Sequence, residues 1–292
     1  MGPLITKERA AHACVQMPRR TKNNIYTTPG GLSDVGRHAI LAALENQTID
    51  KITVITEYPE KLNEANWDCG CVGGHTNPFD DPVNKSRLEM VKIDTWTAAR
   101  GGQKNLLAEH FAGANGVVSC LGHRQPGWKY PELISRGLIA YDGNRQVIEA
   151  MAAAKVDRAV VITSFALGGG RGTSSEWPHW ASVLMGCFQK TFMRKAGNDL
   201  AKMEAAYVES PVDYLLVRPV GISEDKVPVG RYYLQQPGEK KSLDGVSGEM
   251  IDGIVGGNMA KMDAARFMVD EAIRPTLHRT SRVVGSKPGS PM

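Results

Sequence analysis

The sequence has no long apolar run, no regular cysteine framework and no marked excess of one charge, and each absence removes a class of function. No hydrophobic stretch approaches the ~18–20 residues that a membrane-spanning helix needs, so no integral membrane segment is expected. The five cysteines, Cys14, Cys69, Cys71, Cys120 and Cys187, are odd in number and scattered through 292 residues. That pattern fits a reducing compartment better than a disulfide-stapled domain, and a cytoplasmic location is expected. A formal net charge of +4 is too small and too dispersed to predict nucleic-acid binding. A small-molecule substrate is the expected partner.

The charge that is present gathers at the start. Residues 1–22 carry Lys7, Arg9, Arg19, Arg20 and Lys22 against the single acid Glu8, with no apolar stretch of secretory type. They read as a basic, flexible leader. The alternative is a transit-peptide remnant, which would place the chain in an organelle matrix or stroma. Met1-Gly2 with Thr6 fits an acylation pattern, but Pro3 stiffens the segment where an acyltransferase reads it.

From residue 23 onward strand and helix patterns alternate. Strands are expected at 24–28, 51–56, 88–93, 116–121, 158–164, 214–218 and 282–285, and helices at 35–45, 142–154, 196–209 and 262–273. The run Arg158-Ala159-Val160-Val161-Ile162 is continuously apolar after its first residue, as for a strand buried on both faces. Such alternation predicts right-handed βαβ units: an α/β fold with a doubly wound, mostly parallel sheet and helices on both faces. Two stretches interrupt it. Residues 57–87, rich in Gly, Pro, Asn and Asp, read as an insertion after the second strand. Residues 223–261 read as an irregular, small C-terminal flap on the substrate side, placed to cover a ligand at the strand ends.

Between the first strand and the first helix lies Thr28-Pro29-Gly30-Gly31-Leu32-Ser33-Asp34-Val35-Gly36. A glycine turn that restarts as a helix aims backbone N–H groups and a positive helix end at a phosphate. Gly30 and Gly36 fit a dinucleotide fingerprint whose middle glycine is replaced by Ser33. A serine hydroxyl can donate to phosphate if the position does not need positive φ. Glu57, just past the second strand, stands where a carboxylate accepts hydrogen bonds from the adenosine ribose of NAD and repels the extra phosphate of NADP. It reads equally as a solvated turn carboxylate. NAD is the expected cofactor, ahead of NADP.

Residues 24–285 resemble the atypical short-chain dehydrogenase/reductase superfamily, with its NmrA-like and flavin/biliverdin reductase-like branches. The resemblance rests on Val35-Gly36-Arg37, Val117-Val118-Ser119-Cys120-Leu121-Gly122, the stretch from Gly143 to Met151 leading into Asp157-Arg158-Ala159-Val160-Val161-Ile162-Thr163-Ser164, and above all Asp213-Tyr214-Leu215-Leu216-Val217-Arg218-Pro219. It implies a soluble, single NAD(P)-binding Rossmann domain over residues 23–292, with 223–261 as its flap. It also implies a cofactor path. Gly30, Gly31, Leu32, Ser33, Val35 and Gly36 would meet the pyrophosphate, Asp94 the adenine amine, and Leu121 and Gly122 the adenosine. Thr163 and Ser164 would lie by the nicotinamide ribose, with Pro219 and Val220 near the nicotinamide ring.

The superfamily's proton donor is a tyrosine four residues before a lysine, aided by a serine after the fifth strand. Ser164 matches the serine and Lys202 the lysine, and these two are the expected catalytic residues, orienting the ribose. The tyrosine position holds Asn198, and an amide delivers no proton at neutral pH. The expected activity is therefore an oxidoreductase that transfers hydride between a nicotinamide cofactor and a small planar or conjugated substrate without a tyrosine donor, with His179 and Tyr207 as other proton-carrying candidates. The alternative is a non-catalytic dinucleotide-binding redox sensor or assembly and scaffold factor. Gly168-Gly169-Gly170-Arg171-Gly172 reads as a loop. Trp180, Leu184, Phe188 and Phe192 recur at helical spacing and read as core or a homodimer face. Cys69-Gly70-Cys71 with His75 lacks the usual zinc spacing, so no metal is expected.

Overall fold

The computed structural model describes residues 23–27, 34–56, 59–63, 67, 77–93, 106–121, 139–164, 194–223, 230–237, 239–257 and 259–288. Its first half runs β1 (Asn23–Thr27), α1 (Asp34–Glu45), β2 (Ile49–Thr56), α2 (Pro59–Asn63), α3 (Pro82–Lys85), β3 (Leu88–Lys92), α4 (Leu106–Phe111), β4 (Gly116–Ser119), α5 (Ile139–Ala154) and β5 (Arg158–Ile162). Then follow α6 (Arg194–Glu209), β6 (Asp213–Pro219), β7 (Ile222–Ser223), β8 (Tyr233–Gln235), β9 (Lys241–Asp244), β10 (Met250–Asp252), β11 (Met259–Ala260), α7 (Lys261–Ile273) and β12 (Thr280–Gly285).

These strands form one sheet in the order β10-β9-β8-β12-β6-β5-β4-β1-β2-β3, with β7 and β11 as a separate parallel pair. From β12 to β3 every neighbour is parallel, so the expected doubly wound sheet is the one observed. The chain winds outward from β1 to β3 and then crosses back to β4, β5 and β6. Right-handed crossovers in opposite directions put their helices on opposite faces. Accordingly α1 packs with α7, while α5 packs with α4 and α6. Side chains alternate across β5 in the same sense: Arg158 bonds to Glu271 of α7, and Thr163, one residue past the strand, bonds to Glu204 of α6.

The core follows the apolar runs. Val117, Val118, Val160, Val161, Leu215 and Val217 are inaccessible or nearly so, as expected for strands covered on both faces. In α1 nearly every residue from Ala39 to Leu44 is buried, because the helix is held between the sheet and α7. Arg87 ends that helix from a distance. Its Nη1 and Nη2 donate to the Leu44 and Asn46 carbonyls at 3.2 and 2.8 Å, and its Nε donates to that of Ile49 at 2.9 Å. The terminal carbonyls thereby gain the partners a helix cannot supply.

Two expectations need correction. Residues 223–261, expected as an irregular flap, contain the ordered meander β8–β9–β10, which extends the sheet antiparallel beyond β12. Gly and charge in these residues build tight turns, not an unstructured cover. The Asp244 Oδ1 accepts from Val246 and Ser247 N–H at 2.8 and 3.1 Å, and Gly248 takes a φ of 72°. The insertion after β2 is also tied in. Trp67 is buried, its Nε1 donates to the Leu62 carbonyl at 3.1 Å, and its ring meets Phe79 edge-on at 5.8 Å. Helix α4 was not foreseen; six residues carry too little periodicity to register. Strand β6 runs through Pro219, which pairs with Val284 as the last residue of the strand, where a missing N–H costs least.

At the amino edge of the sheet, Arg158 of β5 joins β6, α7 and the segment before β12. Its Nη2 donates to Glu271 Oε2 at 2.9 Å and its Nη1 to Asp213 Oδ2 at 3.2 Å. The Leu277 and Glu271 carbonyls accept from Nη1 and Nε at 2.8 and 3.1 Å. Burial draws the guanidinium below its ordinary range while Asp213 and Glu271 hold it up. Asp213 also meets His278 Nδ1 at 2.8 Å and accepts from the Arg279 N–H at 3.1 Å.

Candidate functional site

In an open parallel sheet, ligands bind outside the carboxyl ends of the strands where the winding reverses. Here that point lies between β1 and β4, which pair in register from Ile25↔Gly116 to Thr27↔Val118. Strand β1 ends at Thr27 and the twelve-residue helix α1 begins at Asp34. Gly30, Gly31, Leu32 and Ser33 lie outside the described residues. Val35 and Gly36 are in the first turn of α1. Val35 is buried and so belongs to the core, leaving its backbone for any ligand.

Glu57, Asp94 and Gly122 lie outside the described residues. The other carried-over positions end or follow β4, β5 and β6. Leu121 is buried after β4. Thr163 and Ser164 follow β5, where the Thr163 N–H donates to the Val217 carbonyl at 2.8 Å. Pro219 closes β6, and the Val220 N–H donates to the Val284 carbonyl at 3.0 Å. Because β4, β5 and β6 are adjacent and parallel, Leu121, Thr163, Ser164, Pro219 and Val220 share one rim. His179, the Gly168–Gly172 run, the aromatic stripe and Cys69-Gly70-Cys71 with His75 lie outside the described residues.

Helix α6 presents two different faces to this rim. Asn198 and Lys202, four residues apart, are exposed, whereas Asp199, Met203, Glu204 and Tyr207 are buried. Residues two apart on a helix do not share a face. Glu204, not Lys202, is therefore turned to the end of β5. Its Oε1 accepts from the Thr163 hydroxyl at 2.8 Å and from Arg218 Nε at 3.1 Å, and its Oε2 from Arg218 Nη2 at 2.6 Å. Sequence reasoning missed Glu204. The available signal was Arg218, a cation directly after the apolar run Tyr214–Val217, which needs an acid packed against it.

Below the rim lies a second buried network. Asn144 of α5 accepts at Oδ1 from Ser119 Oγ at 2.8 Å and from the Tyr207 hydroxyl at 2.9 Å. Its amide donates to the Ala140 carbonyl at 2.9 Å. Tyr207 is fully buried and its proton is committed, so it is no longer a candidate acid.

Asp199, beside the tyrosine position, is occupied too. Its two carboxylate oxygens accept from the Ala140 and Tyr141 N–H groups at 2.9 and 3.2 Å, serving the first turn of α5 as a cap borrowed from α6. At 3% exposure, burial pushes its carboxyl up to about 6, against the pull of those two N–H groups. A carboxyl near neutrality beside a cleft suggests an acid catalyst, but this one is closed in and fully engaged. Cys120, also buried, is pushed up to about 12 by desolvation and is no nucleophile at neutral pH.

Comparison with known proteins agrees with this geometry. A family model described as NAD(P)H-binding matches residues 77–270, well over half the chain, beginning after the first βαβ unit. No curated protein matches. Among solved structures, a short-chain dehydrogenase/reductase from Veillonella parvula in complex with NADP aligns with a TM-score of 0.57 at 12% identity, over 89% of this chain and 92% of that one. An oxidoreductase from Lactococcus lactis aligns with a TM-score of 0.54 at 10% identity, over 89% and 90%. The anaerobilin reductase ChuY from Escherichia coli aligns with a TM-score of 0.53 at 16% identity, over 88% and 94%. At these identities the likeness is one of fold. Among the described residues, no helix is long and apolar enough to cross a membrane.

Proposed function

The chain belongs to the NAD(P)H-binding family, and from that premise we propose that it is an oxidoreductase that moves hydride between a nicotinamide dinucleotide and a small planar or conjugated molecule. The observation that carries this reading is the reversal of winding between β1 and β4, with α1 beginning shortly after β1. Backbone N–H groups of residues 30–36, with the Ser33 hydroxyl, hold the pyrophosphate at the positive end of α1. Leu121 and Gly122 pack on the adenosine, and Asp94 meets the adenine amine. Glu57 accepts from the ribose hydroxyls, which favours NAD over NADP.

Once bound, the nicotinamide supplies or accepts the hydride. The chain's own part is to hold the ring at near-attack distance through Thr163, Ser164, Pro219 and Val220 on the shared rim. A tyrosine donor has no place in this scheme. Asn198 stands at its position, Tyr207 is spent on Asn144, and Asp199 is spent on α5. A substrate that takes its proton from solvent suits such a site, and an anaerobilin reductase among the structural neighbours is in keeping with it. The same occupied groups favour one alternative, a sensor or scaffold that binds the dinucleotide without turnover.

Nicotinamide fluorescence during titration of the purified protein with NADH and NADPH tests the proposal. NADH is expected to bind more tightly. A preference for NADPH overturns the role of Glu57, and binding of neither at about 1 mM overturns the cofactor assignment. NADH oxidation by the protein with an added conjugated hydride acceptor, such as a free flavin, overturns the scaffold alternative.

A further inference from the structure

We propose that Glu204, working through Thr163 and Arg218, is the positioning residue for the nicotinamide end of the site, in place of Lys202. The inference rests on the dinucleotide reading above and adds to it a residue that neither spacing nor resemblance singled out.

Three observations support it. Glu204 ties α6 to two neighbouring strand ends at once, to the residue after β5 and to the penultimate residue of β6. The two ends are also joined through the Thr163 N–H and the Val217 carbonyl at 2.8 Å. Arg218 in turn precedes Pro219 and Val220, the pair assigned to the nicotinamide ring. A single carboxylate thus sets the spacing among α6, Thr163 and the β6 terminus. Two-point pairing of guanidinium with carboxylate fixes orientation as well as distance. Both charged side chains are largely buried, at 14% and 11% exposure for Arg218 and Glu204. Such pairs are poor sources of net stability, and a role in fixing one arrangement accounts for their retention.

The hydrogen-bond direction carries a chemical consequence. The Thr163 hydroxyl donates its proton to Glu204. Only lone pairs of its oxygen remain for a ligand, so Thr163 accepts and the ligand's hydroxyl donates. A ribose hydroxyl suits that polarity, whereas a phosphate oxygen or a carbonyl does not. Lys202, on the opposite face of the helix and exposed, shares none of this network.

The test uses the full chain, with NADH as the probe and two readouts, the dissociation constant and the fluorescence anisotropy of the bound nicotinamide. Thr163→Val is expected to weaken NADH by about tenfold and to lower the anisotropy, because a hydrogen bond linked to a charged group is lost. Thr163→Ser, which keeps the hydroxyl, is expected to restore both to within about twofold of wild type. Glu204→Gln is expected to match Thr163→Val, and Lys202→Met to cost less than either. Should Glu204→Gln melt below the assay temperature, the two Thr163 variants decide alone. If wild type binds NADH and Thr163→Val binds it equally, or if Lys202→Met costs more, Glu204 has no positioning role while the dinucleotide reading stands. If wild type binds neither dinucleotide, both fall together.

Discussion

The two edges of the sheet use buried charge in opposite ways. At the amino edge Arg158 meets Asp213, Glu271 and two carbonyls, and Glu271 accepts in addition from the Thr276 and Leu277 N–H groups at 3.1 and 3.2 Å. Everything there is satisfied from within, by elements distant in sequence. At the carboxyl edge the Glu204–Arg218 pair reaches one hydroxyl, while Ser164, Val220, Asn198 and Lys202 keep access to solvent. The first arrangement closes the fold. The second sets an edge whose described residues stay partly accessible, as the proposed binding role requires.

That contrast predicts where substitution hurts stability and where it hurts binding. The largest effect belongs to Arg158→Met, which strands Glu271 and Asp213 and is expected to cost about 3–5 kcal/mol, on the order of 10 °C in Tm. NADH affinity of the protein still folded at low temperature should be unchanged. A thermal melt paired with a titration checks both, and a binding loss larger than the stability loss would erase the distinction between the edges.

A smaller effect is tied to pH. Asp199 keeps its proton to about pH 6 when folded and to about pH 4 when unfolded. The folded state binds more protons between those values, so this group's contribution is full below the lower and is lost as pH rises through the upper. Asp199→Asn removes the dependence. The stability of wild type relative to the variant should therefore fall by up to about 3 kcal/mol from about pH 4 to pH 7. Denaturant melts across that range measure it, and a difference that grows with pH refutes the burial argument.

The smallest effect is that of Tyr207→Phe. Losing one donor to Asn144, which still receives Ser119, should cost about 1 kcal/mol and leave NADH oxidation intact. Loss of turnover in a stable Tyr207→Phe protein would return that hydroxyl to the list of proton donors.

The sheet's parallel half was legible because its strands are apolar on both faces: Arg158 to Ile162 reads as a buried strand with no help from context. The meander was not, because β8, β9 and β10 are three or four residues each. Only β8 joins the rest of the sheet, through β12, tens of residues later. For the candidate site, strand order alone put Thr163, Ser164, Pro219 and Val220 at the ends of adjacent strands, where the structure has them. Glu204 was not legible, since its meaning comes from Arg218 and Thr163, brought to it by packing. Lys202, two positions earlier, was singled out by its distance from Asn198, and spacing along a helix says nothing of which face is buried.

The place of β12 has a consequence for assembly. It lies between β6 and β8, and the meander meets the rest of the sheet through it. On a ribosome β8, β9 and β10 emerge well before it and can pair only with one another. The long-range pairing that joins them to β6 needs residues 280–285, so it comes late in synthesis and carries a high closure cost. Until then β6 keeps an open edge beside the site, and neighbouring chains can compete for it.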